Sequence, residues 1–361
     1  MKKIIVISNM YPSLKDPAFG TFVKVFTDGL KKFKNDYKVD KIVIKGKPKN
    51  IIDKLIKYIC FYTTVVIKLL TKNYDYVYVH TITYPILPLR IVDLLRNHNY
   101  IFNVHGSDVL TNSKLATALK NLSRPLLSKC KYLIAPSVYF KQVVNEELPE
   151  VDKHKIIVSA SGGIEKHFYN NDNLYSDHKR NTPIKIGYVS RIINGKGWDT
   201  YLKSIRSLKD ADVAVEASIV GDGDKVEEMK DLISQLNLNS SVNYLGALGH
   251  DDLPNYYKNL DLFVFPSEKS ESLGLVGLEA MASSIPVIGS DIGGIKTYIT
   301  NNFNGYLFAP KDYIALTDCI RKYISLDLVD KNKMRKNAYD TAIKYESSRV
   351  LNKLFNKIFT P

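Results

Sequence analysis

Two glutamates in the second half are the strongest candidates for chemistry in this chain of 361 residues. Glu271 and Glu279 have seven residues between them and lie in the stretch LFVFPSEKSESLGLVGLEAMASSIPVIGS at 262–290. The pattern predicts a buried strand, a loop that holds Glu271, and a short helix that starts near Gly274 and Leu275 and holds Glu279. The N–H groups at a helix start favour a phosphate, and a carboxylate further along can accept hydrogen bonds from the two hydroxyls of a ribose.

A second candidate element is Gly187–Gly197, with the sequence GYVSRIINGKG. It follows a predicted strand, and Arg191 and Lys196 lie among its glycines. Basic residues are usually ordinary surface charges. A guanidinium fork and an ammonium that converge on a pyrophosphate would nevertheless neutralise its closely spaced charges, and they would stabilise a departing diphosphate without a metal ion. The position directly after a strand favours this second interpretation.

The elements that must position these residues alternate between β-rich runs and stretches long enough for a helix, which is typical of βαβ units and parallel sheets. The predicted strands are Ile4–Ser8, Lys41–Ile44, Tyr76–His80, Tyr100–Val104, Lys131–Ala135, Ile156–Ser159, Ile184–Val189, Ala214–Val220, Val242–Leu245, Leu262–Phe265 and Pro286–Gly289. The polar segment Glu165–Pro183 predicts a linker between two such sheets. Apolar residues at helical spacing in Tyr345–Phe359 predict a terminal amphipathic helix.

Taken together, these motifs resemble those of the retaining glycosyltransferases of family four, whose E-x7-E signature usually reads PSxxEGFGLxxLEAMAxGxPV and whose donor motif reads G-R-x4-K-G. Further similar pieces are YPSLKDPAFGTFV near the start, NVHGSD after a predicted strand, and SGGIE at 161–165. The resemblance therefore spans the chain. Ser272 and Leu273 replace the common Gly-Phe of the signature, so the donor sugar stays open.

The resemblance implies the GT-B fold, an α/β arrangement of two facing Rossmann-like domains. It implies an acceptor-side domain at 1–165, a donor-binding domain at 183–344, and a helix at 345–361 that crosses back to the first domain. The implied reaction moves a sugar from a nucleoside-diphosphate sugar to an acceptor hydroxyl with retention at the anomeric carbon. The nucleotide sugar is a co-substrate, and neither a cofactor nor an essential metal is expected.

Individual residues carry over from the family by position. The implied catalytic group is Glu271, His105, Arg191 and Lys196, and the implied donor-binding group is Gly20, Arg191, Lys196, Gly274, Leu275 and Glu279. His105 would face the donor sugar, although a histidine at a strand end is often structural. Asp108 is expected to cap the following helix. Gly221-Asp222-Gly223 is no dinucleotide fingerprint, because Val226 occupies the position of the third glycine.

Charge and composition limit the partners. The net charge is +14, and residues 1–165 hold 26 Lys and Arg against 13 Asp and Glu, while the rest of the chain holds 25 against 24. Such one-sided charge attracts anionic surfaces. Nucleic-acid binding is not expected, because no recognition motif accompanies the charge. The segment Ile51–Leu70 is interpreted as a core-packing helix, and an interfacial helix on anionic lipid is the alternative.

Three scattered cysteines suggest neither disulfides nor a zinc site. With no signal peptide or membrane span expected, a cytoplasmic protein is predicted, and peripheral attachment to the inner face of the plasma membrane is left open. The expected pathway is bacterial surface polysaccharide or lipid-linked glycan assembly, with a saccharide or lipid-linked saccharide as acceptor. The rival interpretations are a sugar-nucleotide epimerase of the same fold and a non-catalytic sugar-nucleotide-binding protein.

Overall fold

The computed structural model describes residues 2–16, 19–33, 37–172 and 183–359. It divides into two compact units. The first unit comprises Met1–Gly163 and Ser347–Pro361, and the second unit comprises Ile164–Glu346. The predicted linker at 165–183 lies partly outside the described residues, at 173–182, and its first residues belong to the second unit.

The first unit is built around a parallel sheet of six strands. The strands are β1 (Lys2–Tyr11), β2 (Tyr37–Lys45), β3 (Tyr76–His80), β4 (Tyr100–Asn103), β5 (Tyr132–Ala135) and β6 (Ile156–Val158), in the order β2-β1-β3-β4-β5-β6. The helices are α1 (Thr21–Lys32), α2 (Ile51–Thr71), α3 (Ile86–Leu95), α4 (Lys114–Lys129), α5 (Val138–Glu147) and the terminal helix α12 (Ser347–Phe359). The sheet order changes direction between β1 and β3, so the loops that follow these strands lie beside each other.

Alternating side chains on the strands of the first unit bury two apolar faces. Ile5 and Ile7 belong to the core covered by α2 to α5, whereas Ile4 and Val6 belong to the core covered by α1 and α12. The predicted return of the terminal helix to the first unit is therefore confirmed. This helix packs closely on α1, because a Cβ at Gly29 would lie only 2.4 Å from Leu351 Cδ1.

The second unit also has a parallel sheet of six strands. The strands are β7 (Ile184–Val189), β8 (Val215–Val220), β9 (Val242–Tyr244), β10 (Leu262–Phe265), β11 (Val287–Ser290) and β12 (Gly305–Phe308), in the order β12-β11-β10-β7-β8-β9. The helices are α6 (Trp198–Asp210), α7 (Val226–Gln235), α8 (Leu253–Lys258), α9 (Leu275–Ala282), α10 (Tyr313–Ser325) and α11 (Leu328–Ile343). The order reverses between β7 and β10, so the β7–α6 and β10–α9 loops meet at one edge of the sheet, where ligands bind in open α/β sheets.

All eleven predicted strands are confirmed within one or two residues, except that β1 and β2 extend further. The twelfth strand, β12, was missed because it is only four residues long and follows the asparagine-rich segment 300–304, which is typical of a turn. Helix α2 is only partly a core helix. Phe61, Val65 and Leu69 are buried, while Ile51 and Ile52 at its start are 85% and 70% exposed. Among the described residues, no helix has the length and apolar character needed to cross a membrane.

Candidate functional site

The β10–α9 loop carries Glu271 at the carboxyl edge of the second sheet. The Glu271 carboxylate accepts hydrogen bonds at Oε1 from Lys196 Nζ, 2.5 Å away, and from the buried Ser267 hydroxyl, 3.1 Å away. Its backbone carbonyl also accepts a hydrogen bond from the N–H of Gly294, at 2.7 Å. These contacts hold the carboxylate in place before any ligand is bound.

Helix α9 begins at a glycine in the left-handed conformation. Gly274 has φ 86°, and a Cβ there would lie 2.6 Å from a ring carbon of Phe265. The Tyr298 hydroxyl donates a hydrogen bond to the Gly274 carbonyl at 2.9 Å, which anchors the turn. The helix then runs from Leu275, with its first N–H groups at the same edge as Glu271. A phosphate is the kind of ligand that such a start favours.

Glu279 lies one helical turn into α9 and is buried, with 7% of its surface exposed. Tyr257 donates a hydrogen bond to Glu279 Oε2 at 3.3 Å, and His250 Nε2 lies 3.6 Å from Oε1. On its other side, His250 Nδ1 lies 3.8 Å from Glu165 Oε1. The hydrogen bond and charge of Glu279 raise the pKa of His250 above its usual value. Sequence reasoning missed His250 and Tyr257, because neither has a spacing that relates it to Glu279.

The β7–α6 loop supplies the two predicted basic residues and packs directly on the β10–α9 loop. Gly197 has φ 71°, and a Cβ there would lie 1.8 Å from the Pro266 carbonyl oxygen, so no other residue fits. The N–H of Glu268 donates to the Gly195 carbonyl at 3.1 Å. The glycines beside Lys196 therefore allow the two loops to pack closely, and this packing brings Lys196 into contact with Glu271.

Arg191 lies in the same loop, and its side chain is exposed. Within the described part of the chain, no carboxylate forms an ion pair with it. The turn Gly221-Asp222-Gly223 supports this loop from below, since a Cβ at Gly221 would lie 1.8 Å from the Ser190 carbonyl oxygen, and a Cβ at Gly223 would lie 2.2 Å from that of Ile192. These glycines thus have a packing role.

In the first unit, His105 follows β4 and forms a pair with His80 at the end of β3. His80 Nδ1 lies 3.1 Å from His105 Nε2, and the two rings stack with a 14° angle between their planes. Phe22 covers His105, with its ring centroid 4.1 Å away. Burial lowers the pKa of His105 to about 3. Burial and the neighbouring His105 hold the pKa of His80 well below its usual value, so both rings are neutral near pH 7.

The predicted role of Asp108 as the cap of the following helix is wrong. Ser113 caps α4, because its side chain accepts a hydrogen bond from the N–H of Ala116. The buried Asp108 carboxylate instead accepts hydrogen bonds from the N–H groups of Ile82, His105 and Gly106, at 3.2, 2.9 and 3.0 Å. It ties the loop after β3 to the loop after β4 and so fixes the backbone of His105.

Gly20 lies at the start of α1 in the left-handed conformation, with φ 75°. A Cβ there would lie 2.8 Å from the backbone of Met10 and 2.9 Å from that of Tyr11. The glycine therefore lets the chain fold back tightly on the end of β1. The segment YPSLKDPAFGTFV that carries it includes residues 17 and 18, which lie outside the described residues.

One group of three side chains in the described residues could approach a metal ion. The ligand atoms of His167, His250 and Asp251 lie within 4.8 Å of one another. His167 and Asp251 are exposed, and His250 is already engaged by Glu279 and Glu165. These contacts describe an exposed ion-pair cluster, and we assign no metal to it.

Comparisons with known proteins match the chain to glycosyltransferases. The chain is 26% identical over 239 residues to an uncharacterized glycosyltransferase of Methanocaldococcus jannaschii, with 66% of this chain and 60% of the relative covered. It is 28% identical over 191 residues to the capsular polysaccharide biosynthesis glycosyltransferase CapM of Staphylococcus aureus, with 48% of this chain and 50% of CapM covered. The chain thus spans between half and two thirds of the length of these relatives.

A solved structure with the same fold is Anabaena HepE in complex with UDP, with a TM-score of 0.76 at 18% identity and 99% of each chain covered. The profile of the family "Glycosyl transferases group 1" matches residues 171–341, almost the whole second unit. The chain has the GT-B fold, and the part that resembles group 1 glycosyltransferases in sequence is its second unit.

Proposed function

We propose that this protein transfers a sugar from a nucleoside-diphosphate sugar to an acceptor hydroxyl with retention of the anomeric configuration. The observation that carries the proposal is the contact of Lys196 with Glu271, at 2.5 Å. It joins the two motifs, which lie 75 residues apart in sequence, at the sheet edge beside the start of α9. A cation, a carboxylate and a helix start then converge where a diphosphate and its sugar can lie next to each other.

The leaving diphosphate would be bound by Arg191, Lys196 and the first N–H groups of α9 at Gly274 and Leu275. In the reaction the bond from the anomeric carbon to the diphosphate oxygen breaks, and the bond to the acceptor oxygen forms. The departing phosphate oxygen takes the acceptor proton on the same face of the sugar. Fixed positive charge around the diphosphate stabilises the charge that develops as the bond breaks, so no essential metal is needed.

Glu279 would accept hydrogen bonds from the ribose hydroxyls. Tyr257 and His250 each contact one oxygen of the carboxylate and hold its orientation. This lowers the entropic cost of ordering the side chain when the nucleotide binds. Hydrogen bonds from the ribose hydroxyls to Glu279 would be favourable, because a buried carboxylate needs hydrogen-bond donors for its oxygens. Removing the Glu279 carboxylate should therefore weaken the binding of every nucleotide sugar, whatever sugar it carries.

Glu271 would orient the donor sugar through a hydroxyl group, with Ser267 and Lys196 holding the carboxylate in position. For His105 and Gly20, both in the first unit, we propose the roles implied by the family resemblance. His105 would act as a neutral hydrogen-bonding group toward the sugar, since a histidine with a pKa of about 3 cannot serve as an acid near pH 7. Gly20 would let the first loop approach the diphosphate.

The comparisons support the donor class and the pathway. HepE is solved with UDP, with UDP and glucose, and with UDP-glucose, and CapM acts in capsular polysaccharide biosynthesis. We therefore propose a UDP-sugar as the first donor to test and a saccharide or lipid-linked saccharide of a bacterial surface glycan as the acceptor. The same proposal places the protein in the cytoplasm, at the anionic inner face of the plasma membrane.

The test is a thermal-shift panel of UDP-, GDP-, ADP- and CMP-sugars, because a ligand of the folded state raises its Tm by mass action. We expect a selective shift with one base. Glu279→Ala should remove most of that shift, while Glu216→Ala, an exposed glutamate on β8, should keep it. Unchanged nucleotide affinity in Glu279→Ala would overturn the ribose assignment.

Product analysis then separates the proposal from its rivals. NMR of the glycoside made from an α-linked donor should show an α linkage, and EDTA should leave the rate unchanged. An inverted linkage or full loss of activity in EDTA would contradict the retaining, metal-independent reaction. A new sugar nucleotide formed without acceptor would indicate an epimerase, and nucleotide binding with no turnover on any acceptor would indicate a non-catalytic binding protein.

A further inference from the structure

The start of helix α2 exposes an apolar surface that no other described residue of the first unit covers. Five large apolar residues on its first three turns are between 52% and 85% exposed: Ile51, Ile52, Leu55, Ile56 and Ile59. In the same helix the core contacts come from Phe61, Val65 and Leu69. The first half of α2 therefore lies outside the hydrophobic core, although its residues would normally be buried.

Helix α3 also exposes apolar residues. Leu87, Ile91, Leu94 and Leu95 are 38%, 52%, 78% and 70% exposed. Their spacing of four, seven and eight residues places them on one side of the helix, opposite the buried Ile86, Leu89 and Val92. Helices α2 and α3 pack against each other. Exposed apolar residues in such number on two packed helices are typical of an interaction site.

Basic residues flank the most exposed part of this surface. The segment 45–57, KGKPKNIIDKLIK, contains five lysines and a single acid, Asp53. Lys45, Lys47, Lys49 and Lys54 are exposed. Lys57 pairs with Asp53 at 3.2 Å, so that acid neutralises one lysine and leaves the other four free to face an anionic partner. Exposed isoleucines flanked by lysines are typical of a helix that lies in a lipid interface.

We propose that the start of α2 and the outer side of α3, which we call the α2–α3 face, bind the surface of an anionic lipid bilayer. The isoleucines would enter the boundary between headgroups and acyl chains, and the lysines would lie at the level of the anionic headgroups. A second copy of this chain fits less well, since two such faces would bring two clusters of lysines together. The inference rests on the proposed function in one respect: it would hold the enzyme beside a lipid-linked acceptor.

The test is co-sedimentation with vesicles of phosphatidylcholine alone and with one quarter phosphatidylglycerol. We expect binding to the anionic vesicles at low salt and at least ten-fold weaker binding to the neutral ones. The double variant I52E/I56E should lose most of the binding. The matched control I314E/V329E, at two positions of the second unit that are 60% and 74% exposed, should bind like the natural chain.

A fluorescence measurement locates the contact. The only tryptophan, Trp198, is buried in the second unit, so it should not respond to vesicles. Leu55→Trp should show a blue shift of emission on anionic vesicles, and Ile314→Trp should show none. Failure of the natural chain to bind anionic vesicles at low salt would overturn the proposal. So would equal binding by I52E/I56E, or a dimer in solution that this variant dissociates.

The nucleotide-induced thermal shift, measured on the same variants without lipid, separates this proposal from the proposed function. I52E/I56E should keep the shift of the natural chain. If the natural chain showed the nucleotide-induced shift but did not bind vesicles, the membrane contact alone would be refuted. An absent shift together with vesicle binding would count against the transferase and leave the α2–α3 face in place.

Discussion

The two units share an architecture and differ in their surfaces. Each has a parallel sheet of six strands covered by helices. The first unit holds 29 Lys and Arg against 12 Asp and Glu, whereas the second holds 22 against 25. Among the described residues, 16 exposed large apolar side chains lie in the first unit and 6 in the second. The two units thus share a fold while they differ in surface charge and in the number of exposed apolar residues.

The units also differ in how they bury a cation, and this difference predicts the largest effect. In the second unit Arg335 is 1% exposed and pairs at 3.2 Å with the buried Asp261. Arg335→Ala should lower the free energy of unfolding by about 3–5 kcal/mol, because a buried carboxylate loses its counter-charge. In the first unit the buried Lys120 pairs with Glu147, whose side chain is 41% exposed, so Lys120→Ala should cost less.

Urea unfolding followed by circular dichroism measures both variants. Lys336→Ala, which removes an exposed pair with Asp340 on the same helix as Arg335, is the control and should change stability by about 0.3–0.5 kcal/mol. Equal losses for Arg335→Ala and Lys336→Ala would show that the buried pair does not hold the second unit together.

The next effect concerns the proposed transfer reaction and Lys196, a residue of the second unit. Lys196→Ala should lower the rate of sugar transfer by about 10²–10³-fold, the usual loss when one preorganised stabilising group is removed. Lys196→Arg should restore part of the rate by keeping the charge. Initial rates at saturating donor are the measurement.

The control for Lys196 is Lys203→Ala, which removes an exposed cation that pairs with Asp199 on α6. It should keep the natural rate. If Lys196→Ala remained within two-fold of the natural rate, the contact with Glu271 would be a structural ion pair only.

Two histidines make the stability of the first unit depend on pH. His80 and His105 have pKa values held below the usual 6.5 by burial, so below pH 6.5 the unfolded chain binds more protons than the folded unit. Their contribution to stability is complete above pH 6.5 and falls as the pH drops below it, by about 1.4 kcal/mol per pH unit for each histidine that stays neutral in the folded unit.

Equilibrium unfolding between pH 7 and 5 measures this slope for the natural chain and for His80→Gln, in which it should be smaller. His154→Gln, which alters a surface histidine of the first unit, should keep the full slope. An NMR titration in which the His105 ring protonates near pH 6.5 would refute the prediction.

The smallest effect has the opposite sign and belongs to the second unit. Glu279 raises the pKa of His250, so the stability from this pair is complete below pH 6.5 and is lost as the pH rises through the raised pKa. His250→Gln should remove this loss and weaken nucleotide binding slightly. Equilibrium unfolding and nucleotide affinity, each measured from pH 6 to 9, test the two expectations, and pH profiles identical to those of the natural chain would contradict them.

Local signals in the sequence determined most of the fold. The alternation of β-rich runs with helix-length segments was enough for eleven strands and for the division into two sheets, because strand and helix periodicities depend on neighbouring residues. The pattern of the stretch 262–290 likewise placed Glu271 in a loop and Glu279 on a helix. Amphipathic spacing was enough to identify α12.

Tertiary structure alone decided which distant groups meet. The contacts of Lys196 with Glu271 and of Glu279 with His250 join residues on different loops, and no spacing encodes them. Asp108 was misassigned because its partners include Ile82, in a loop 26 residues away. The sequence also did not decide which part of α2 is exposed, since Ile51 and Val65 are both β-branched apolar residues and differ only in what packs against them. Burial and long-range contact depend on the whole packed chain, so they appear only when it is folded.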